Sequence, residues 1–556
     1  MHPYRTTIVA AGAAAAVLGG TVFAAALPSS AASSPTVATA AVGSGFWHTS
    51  GNKILDSAGN VVRIAGVNWY GFETPDEIAH GLWAQDYHAV IDDIRNLGYN
   101  TIRIPFSNQM VENPVIPQNF SMFNGTGPIN TDLAGLNSLQ ILDKIVAYAG
   151  TDGLKVILDD HRSEAGESAE ANGLWYTSTF TNANWLADWA TMAKRYAGNP
   201  TVIGFDLRNE PHTPAGVAYA NGATWGTGDP NTDIRLAYEA AGNEILGLDP
   251  NALIFAEGIG ETPNASGGFD STWWGGDLEL AGQFPVTLSS AGHVVYSAHD
   301  YGPSLFQQTW FNATTTSASL DAVWNQFWGY LYQNNTAPIW VGEFGTGNVA
   351  TDVSNTAAGS QGQWFNSLVS FIGANAGMGW TYWALNGEDS FALLDNSYDA
   401  TPVSAAKQSL LKTIQFPLTG TTTPPPTSGT TTPPPTSGTT PPPTTTPPPS
   451  SASCSAAYTV VNAWQGGFQA GITITNKGTT AINNWTLAWD FPGSAQVSSL
   501  WNATDTQTGK HVVATAAAFD AVIAPGASVT VGFTANDPTA DPNPTTFSVN
   551  GSTCTG

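Results

Sequence analysis

VIGFDLRNEPH, residues 202–212, is an apolar strand that ends on a carboxylate. The run Val202–Asn209 is short and largely apolar, the mark of a strand buried on both faces, and Asn209-Glu210-Pro211 closes it. One acidic group at one strand end is a weak signal, and its meaning comes from the segments around it.

Seven further segments have strand character: Val61–Trp69, Thr101–Phe106, Lys155–His161, Leu253–Gly258, Val294–Tyr301, Ile339–Gly345 and Gly379–Leu385. Between them Gln85–Leu97, Leu136–Ala149, Trp185–Tyr196, Asp233–Leu246 and Leu320–Tyr332 carry apolar residues at helical period. Eight strands separated by helices across residues 44–417 predict an α/β fold, a (β/α)8 TIM barrel. A doubly wound open sheet alternates in the same way, but no Gly-rich phosphate loop follows the first strand.

Barrels of this kind carry their chemistry at the C-terminal ends of the strands. Glu210 closes the fourth strand, and Gly342-Glu343-Phe344-Gly345 closes the seventh. Two carboxyls held about 5–5.5 Å apart can hydrolyse a glycosidic bond with retention, one as acid/base and the other as nucleophile. The pair is a far stronger signal than either motif alone.

The rest of the chain fits that chemistry. Twenty tryptophans suit flat, stacking ligands such as sugar rings, although a single tryptophan is more often core. A formal charge of -26 repels phosphate backbones and excludes nucleic acid as a partner. Arg5, the apolar run Ile8–Ala26 and small-residue sites at Ala24-Ala25-Ala26 or Ala38-Thr39-Ala40 predict an export signal over residues 1–40, hence a secreted protein. No other stretch reaches about 18 uninterrupted apolar residues, so no membrane partner is expected. Clustered Cys/His ligand spacing is absent, and the expected chemistry calls for neither metal nor cofactor. A monomer is expected.

Residues 418–453 form a linker. Thr421–Ser450 holds 13 Thr and 12 Pro, repeats TTTPPPTSG twice and offers nothing to bury. Proline runs of this kind extend at about 3.1 Å per residue, so the segment is a semi-rigid spacer. Beyond it, residues 454–556 change character. Short runs rich in Thr, Val, Trp and Phe, separated by Gly, Asn and Pro turns, predict an all-β sandwich. The chain's two cysteines, Cys454 and Cys554, bracket this unit and predict a disulfide. Closing so long a loop stabilises by roughly 4–5 kcal/mol in the chain-entropy account.

Several separate motifs now carry a resemblance. VVRIAGVNWYGF (61–72), YNTIRIP (99–105), ILDDHR (157–162), GFDLRNEPH (204–212), YSAHDY (296–301), VGEFGT (341–346) and GWTYW (379–383) resemble glycoside hydrolase family five, in particular actinobacterial endo-β-1,4-glucanases. The resemblance implies Glu210 as acid/base and Glu343 as nucleophile. It adds Arg103, His161, Asn209, His299, Tyr301 and Trp383 as supporting residues, and cellulose or a related β-1,4-glucan as substrate. Arg103 and Tyr301 would keep Glu343 ionised and aimed, and Asn209 would bond the sugar 2-OH. Trp383 would face the sugar at the cleavage point, and His161 and His299 would hold hydroxyls or tune Glu210. The loops His80-Gly81-Leu82-Trp83 and Trp273-Trp274-Gly275-Gly276 are candidate subsite walls. Glu73, Glu164, Glu167 and Glu257 are assigned no more than a surface or subsite place.

WQGGF (464–468), WTLAW (485–489), Trp501-Asn502 and the terminal Asn550-Gly551 resemble carbohydrate-binding module family two. That family implies a flat cellulose-binding strip, here Trp464, Trp501 and Phe519, with Trp485 and Trp489 in the core. A β-mannanase or mixed-linkage glucanase would use the same barrel and carboxylates. A non-catalytic cellulose adhesin is a third reading, against which the intact Glu210 and Glu343 weigh.

Overall fold

A computed structural model of the chain describes residues 42–418 and 454–555, apart from 465, 502, 517–520 and 537–542. The expected export signal, residues 419–453 of the linker and Phe519 lie outside the described residues, as do the side chains of Trp464 and Trp501. Among the described residues no helix is long and apolar enough to cross a membrane.

Eight strands close into a parallel barrel. They are β1 (Ala65–Asn68), β2 (Thr101–Ser107), β3 (Lys155–Arg162), β4 (Val202–Asp206), β5 (Leu253–Glu257), β6 (Val294–His299), β7 (Ile339–Glu343) and β8 (Gly379–Tyr382). Each predicted strand has its counterpart; six end one to three residues earlier than expected, where the chain turns into the loops of the site, and β2 and β3 run one residue longer. Helices Tyr87–Asn96, Ser138–Thr151, Asn182–Tyr196 and Ile234–Leu248 match the apolar periodicity. The segment predicted as one helix over Leu320–Tyr332 is Ser317–Trp324, a π-helical stretch Asn325–Gly329, and Tyr330–Gln333. The helix Gln361–Ala374 was not predicted; Trp364, Phe365, Leu368 and Ile372 set its buried face at helical spacing.

The barrel interior is filled, as eight strands leave only enough width for side chains. Ile64, Ile157, Ile203, Phe255, Val295 and Trp340 form one buried cluster with Trp47, which comes from the segment preceding the barrel. Lys155 Nζ sits over the Trp47 ring and donates to the Pro200 carbonyl at 2.7 Å, closing that end with a satisfied cation. Strand register then levels the opposite end. Asn68 pairs with Arg103, Asp159 with Asp206, and His299 with Glu343, the last after a register shift between Ala298 and His299.

The C-terminal unit is built of antiparallel strands in two main sheets. One holds Cys454–Trp464, Gly467–Asn476, Ser528–Asn536 and Gln496–Trp501, and the other is centred on Thr486–Asp490. Trp485 and Trp489 are buried between them, Trp489 against Phe533 at 5.4 Å, so both are core as expected. Cys454 and Cys554 form the disulfide.

Candidate active site

The strand ends converge on one guanidinium. Arg103, on β2, is wholly buried, which an unpaired cation cannot sustain. It is paired four times: with Asp159 of β3 at 3.1 Å, Asp206 of β4 at 2.9 Å, Glu257 of β5 at 3.2 Å and Glu343 of β7 at 2.6 Å. It also donates to Asn68 Oδ1 and Asn209 Oδ1, each at 3.0 Å. Oxygens of Asp159, Asp206 and Glu257 come within 4.8 Å of one another, and Arg103 supplies the positive charge among them. Burial and mutual repulsion push Asp206 well above the usual carboxylate range.

Glu343 receives a second donor, the Tyr301 hydroxyl, at 2.8 Å on its other oxygen. Burial opposes its ionisation, yet the charges of His299, Arg103 and His161 and the Tyr301 bond outweigh it and hold Glu343 below its ordinary value. Glu210 stands differently. Its oxygen accepts from, or donates to, His299 Nδ1 at 3.1 Å, and burial followed by the nearby Glu343 charge raises its carboxyl. Two carboxyl groups of one cleft are thus driven apart in proton affinity. Oxygens of Glu210 and Glu343 lie within 4.8 Å of each other.

His299 links the two. Nδ1 contacts Glu210 and lies 3.6 Å from Glu343, and Nε2 lies 3.2 Å from Glu257, an ion-pair distance without hydrogen-bond alignment. Burial disfavours its charge, but Glu257 and Glu343 on either side raise it well above the ordinary histidine value. His161 Nδ1 contacts Asp159 at 2.7 Å, and its Nε2 is 3.4 Å from Asn209 Nδ2. With Asn209 Oδ1 taken by Arg103, the amide orientation is set and its Nδ2 stands on the His161 side. Trp383, half-buried, lies near-parallel to Tyr70 (5.3 Å, 15°) and to His161 (5.7 Å, 15°), and its indole N–H donates to Asp389 at 3.1 Å.

All eight residues expected in the site are therefore brought together. Residue-level reading missed the ring of acids behind them. Asn68, Asp159 and Asp206 stand inside the quoted motifs but were given no role, and Glu257 was left as a surface or subsite residue. That placing of Glu257 is corrected here: it is fully buried at the end of β5 and touches Arg103, His299 and the Glu210 backbone. Its position at a strand's C-terminal end was the available signal. Glu73 is also buried, accepting from the Gly71 N–H at 2.8 Å. Of the two candidate loops, Trp274 is exposed and stacks on His212 at 3.7 Å, whereas Trp273 is buried. Trp83 is partly buried and meets His80 edge-on.

Comparison with known proteins agrees with this fold. Residues 55–389 match the model of the cellulase family, glycosyl hydrolase family 5, and residues 454–554 match a cellulose binding domain. An endoglucanase of Paenibacillus polymyxa is 43% identical over 388 residues, 69% of this chain and 91% of that protein. The major extracellular endoglucanase of Xanthomonas campestris pv. campestris is 35% identical over 507 residues, 90% of this chain and 97% of that one. Among solved structures, a hyperthermophilic endocellulase of Pyrococcus horikoshii superposes with a TM-score of 0.60 at 33% identity, covering 67% of this chain and 98% of that one.

Proposed function

The chain belongs to glycosyl hydrolase family 5, the cellulases, and from that membership we propose that it is an endo-β-1,4-glucanase that cleaves cellulose with retention. Glu343 attacks the anomeric carbon while Glu210 gives its proton to the departing glycosidic oxygen. The C1–O bond breaks as a glycosyl ester to Glu343 forms. Glu210, now a carboxylate, takes a proton from water, whose oxygen displaces Glu343 and restores both groups. Two inversions leave the product in the β configuration.

The observation that carries this reading is the separation of the two carboxyls. Oxygens within 4.8 Å of each other suit the spacing of about 5–5.5 Å of a retaining pair better than the roughly 6.5–9.5 Å of an inverting one. The opposite displacement of their proton affinities supports the assignment of roles, since the acid must keep its proton and the nucleophile must be ionised. In this reading Asn209, whose Oδ1 is held by Arg103, bonds the 2-OH of the sugar in the cleft, and Trp383 lies beneath that ring.

The C-terminal module anchors the enzyme to cellulose through Trp464, Trp501 and Phe519, with phenylalanine presenting a smaller face than the tryptophans. The enzyme is exported, in keeping with its disulfide and with the extracellular relative. Residues 44–417 form the catalytic unit and 418–453 the tether. Proton NMR of cello-oligosaccharide digests tests the chemistry: β-anomer appears first if the reading is right, and early α-anomer overturns it. Mannan cleaved in place of cello-oligosaccharides would move the substrate while keeping the chemistry.

A further inference from the structure

The most exposed large apolar side chain among the described residues is Phe123, at 65%. Single exposed rings are common on protein surfaces and need no function. Its mounting, and what it is mounted beside, set this one apart.

Phe123 stands on a tight hairpin, pairing with Pro128 while Asn124 pairs with Gly127. The Asn124 side chain closes the turn, accepting from the Thr126 and Gly127 N–H groups at 3.0 and 3.2 Å. The base of the hairpin is tied to the Leu82–Trp83 segment. Ser121 N–H donates to the Leu82 carbonyl at 3.0 Å, and the buried Asn130 amide donates to the carbonyls of Leu82 and Ser121 at 3.0 and 3.2 Å. A ring on so fixed a support loses little conformational entropy on binding.

The support continues an aromatic path that starts at the cleavage point. Trp383 stacks on Tyr70, Tyr70 meets His80 at 5.3 Å, and His80 meets Trp83 at 5.2 Å. All four are partly exposed. Trp83 follows Leu82 directly, where the hairpin is bonded. Glu210 hands its proton to the departing sugar, and the Trp274–His212 stack lies beside it: His212 is two residues on in sequence, and Gly275 N–H, next to Trp274, donates to the Pro211 carbonyl at 3.4 Å. The path through Tyr70 and Trp83 therefore serves the other half of the chain, the part that becomes bound to Glu343.

We infer that Phe123 is a distal contact for the non-reducing half of a β-1,4-glucan chain, beyond Trp83, that selects long chains over short ones. The inference rests on the glucanase reading above, and its ligand is a single glucan chain in the cleft and not a fibre face. The test is the full-length protein and its Phe123→Ala and Phe123→Trp variants, assayed on cellotetraose and cellohexaose. Phe123→Ala should lower kcat/KM for cellohexaose roughly fivefold to tenfold while cellotetraose stays within about twofold, and Phe123→Trp should restore cellohexaose. Equal kinetics on cellohexaose for the parent and Phe123→Ala overturns the inference, as does an effect seen only in adsorption to crystalline cellulose. An unmutated protein that cleaves neither oligosaccharide overturns the glucanase reading itself, and the inference with it.

Discussion

Glu257 Oε2 accepts the backbone N–H of Glu210 at 2.7 Å, and its other oxygen faces both Arg103 Nη2 and His299 Nε2 at 3.2 Å. Glu210 needs that anchor. Its φ is 49°, in the left-handed region that a side chain with a Cβ rarely adopts, at a cost on the order of 1–3 kcal/mol. Glu257 thus holds the proposed acid in place through its backbone and charges the histidine that faces both carboxyls.

Substituting Glu257→Gln keeps an acceptor for the Glu210 N–H and removes the charge. The Glu257 charge is one of those that raise the Glu210 carboxyl, so Glu210 should give up its proton at lower pH in the variant. Because Glu210 must keep its proton to act as the acid, the alkaline limb of the kcat/KM profile should move to lower pH. An unmoved alkaline limb would show that Glu257 acts on geometry alone.

The unmodified enzyme should give a bell-shaped profile. Activity falls on acidification as Glu343, held below the ordinary glutamate value, takes up a proton. It falls on alkalinisation as Glu210, held above that value, loses its own. Tyr301→Phe removes one charge-assisted bond to Glu343, so kcat/KM should drop roughly 10- to 100-fold and the acid limb should rise. A profile with the parent's limbs would place the loss elsewhere.

Glu343→Ala should lower turnover on the order of 10⁴-fold or more. Thermal unfolding should change little, because Arg103 keeps three other carboxylate partners. Near-parental rates would remove Glu343 as nucleophile.

Arg103→Met leaves Asp159, Asp206, Glu257 and Glu343 facing each other without a cation. Breaking a buried set in this way costs about 3–5 kcal/mol, and the melting temperature of the barrel should fall accordingly. Lysine should recover only part of the loss, since a point charge cannot reach four strands as a planar fork does. Unchanged melting of Arg103→Met would mean that the acids neutralise themselves by taking up protons.

Reduction should act on one unit alone. Both cysteines lie in the C-terminal module and none in the barrel. Dithiothreitol should therefore weaken adsorption to cellulose while hydrolysis of soluble cello-oligosaccharides persists. Trp501→Ala should have the same split effect without a reductant, and full adsorption by that variant would take Trp501 out of the strip.

The barrel was legible because its strands are buried on both faces and its helices on one, and these two periods cannot be confused over eight repeats. Glu343 stood out because it closes such a strand, and Glu210 because it follows one by four residues. The acids around Arg103 were not, since their partnership joins β2, β3, β4, β5 and β7 across long separations, and a single chain carries no trace of a contact. Glu257 looked like any acidic residue before a glycine. The break in the helix after Trp324 was equally hidden, because one extra residue in a turn leaves the apolar period almost intact. For Trp464, Trp501 and Phe519 the resemblance alone stands.

A guanidinium divided among five strand ends makes the surrounding positions epistatic. Exchange any one acid, and the charge balance felt by the others changes, so the effects of paired substitutions at Asp159, Asp206, Glu257 and Glu343 will not sum. Lineages drifting from such an ancestor have little freedom at the strand ends, where a single step is penalised before a compensating one arrives. Their latitude lies in the loops, where a hairpin such as the one bearing Phe123 can be lengthened, trimmed or resurfaced without disturbing the chemistry below.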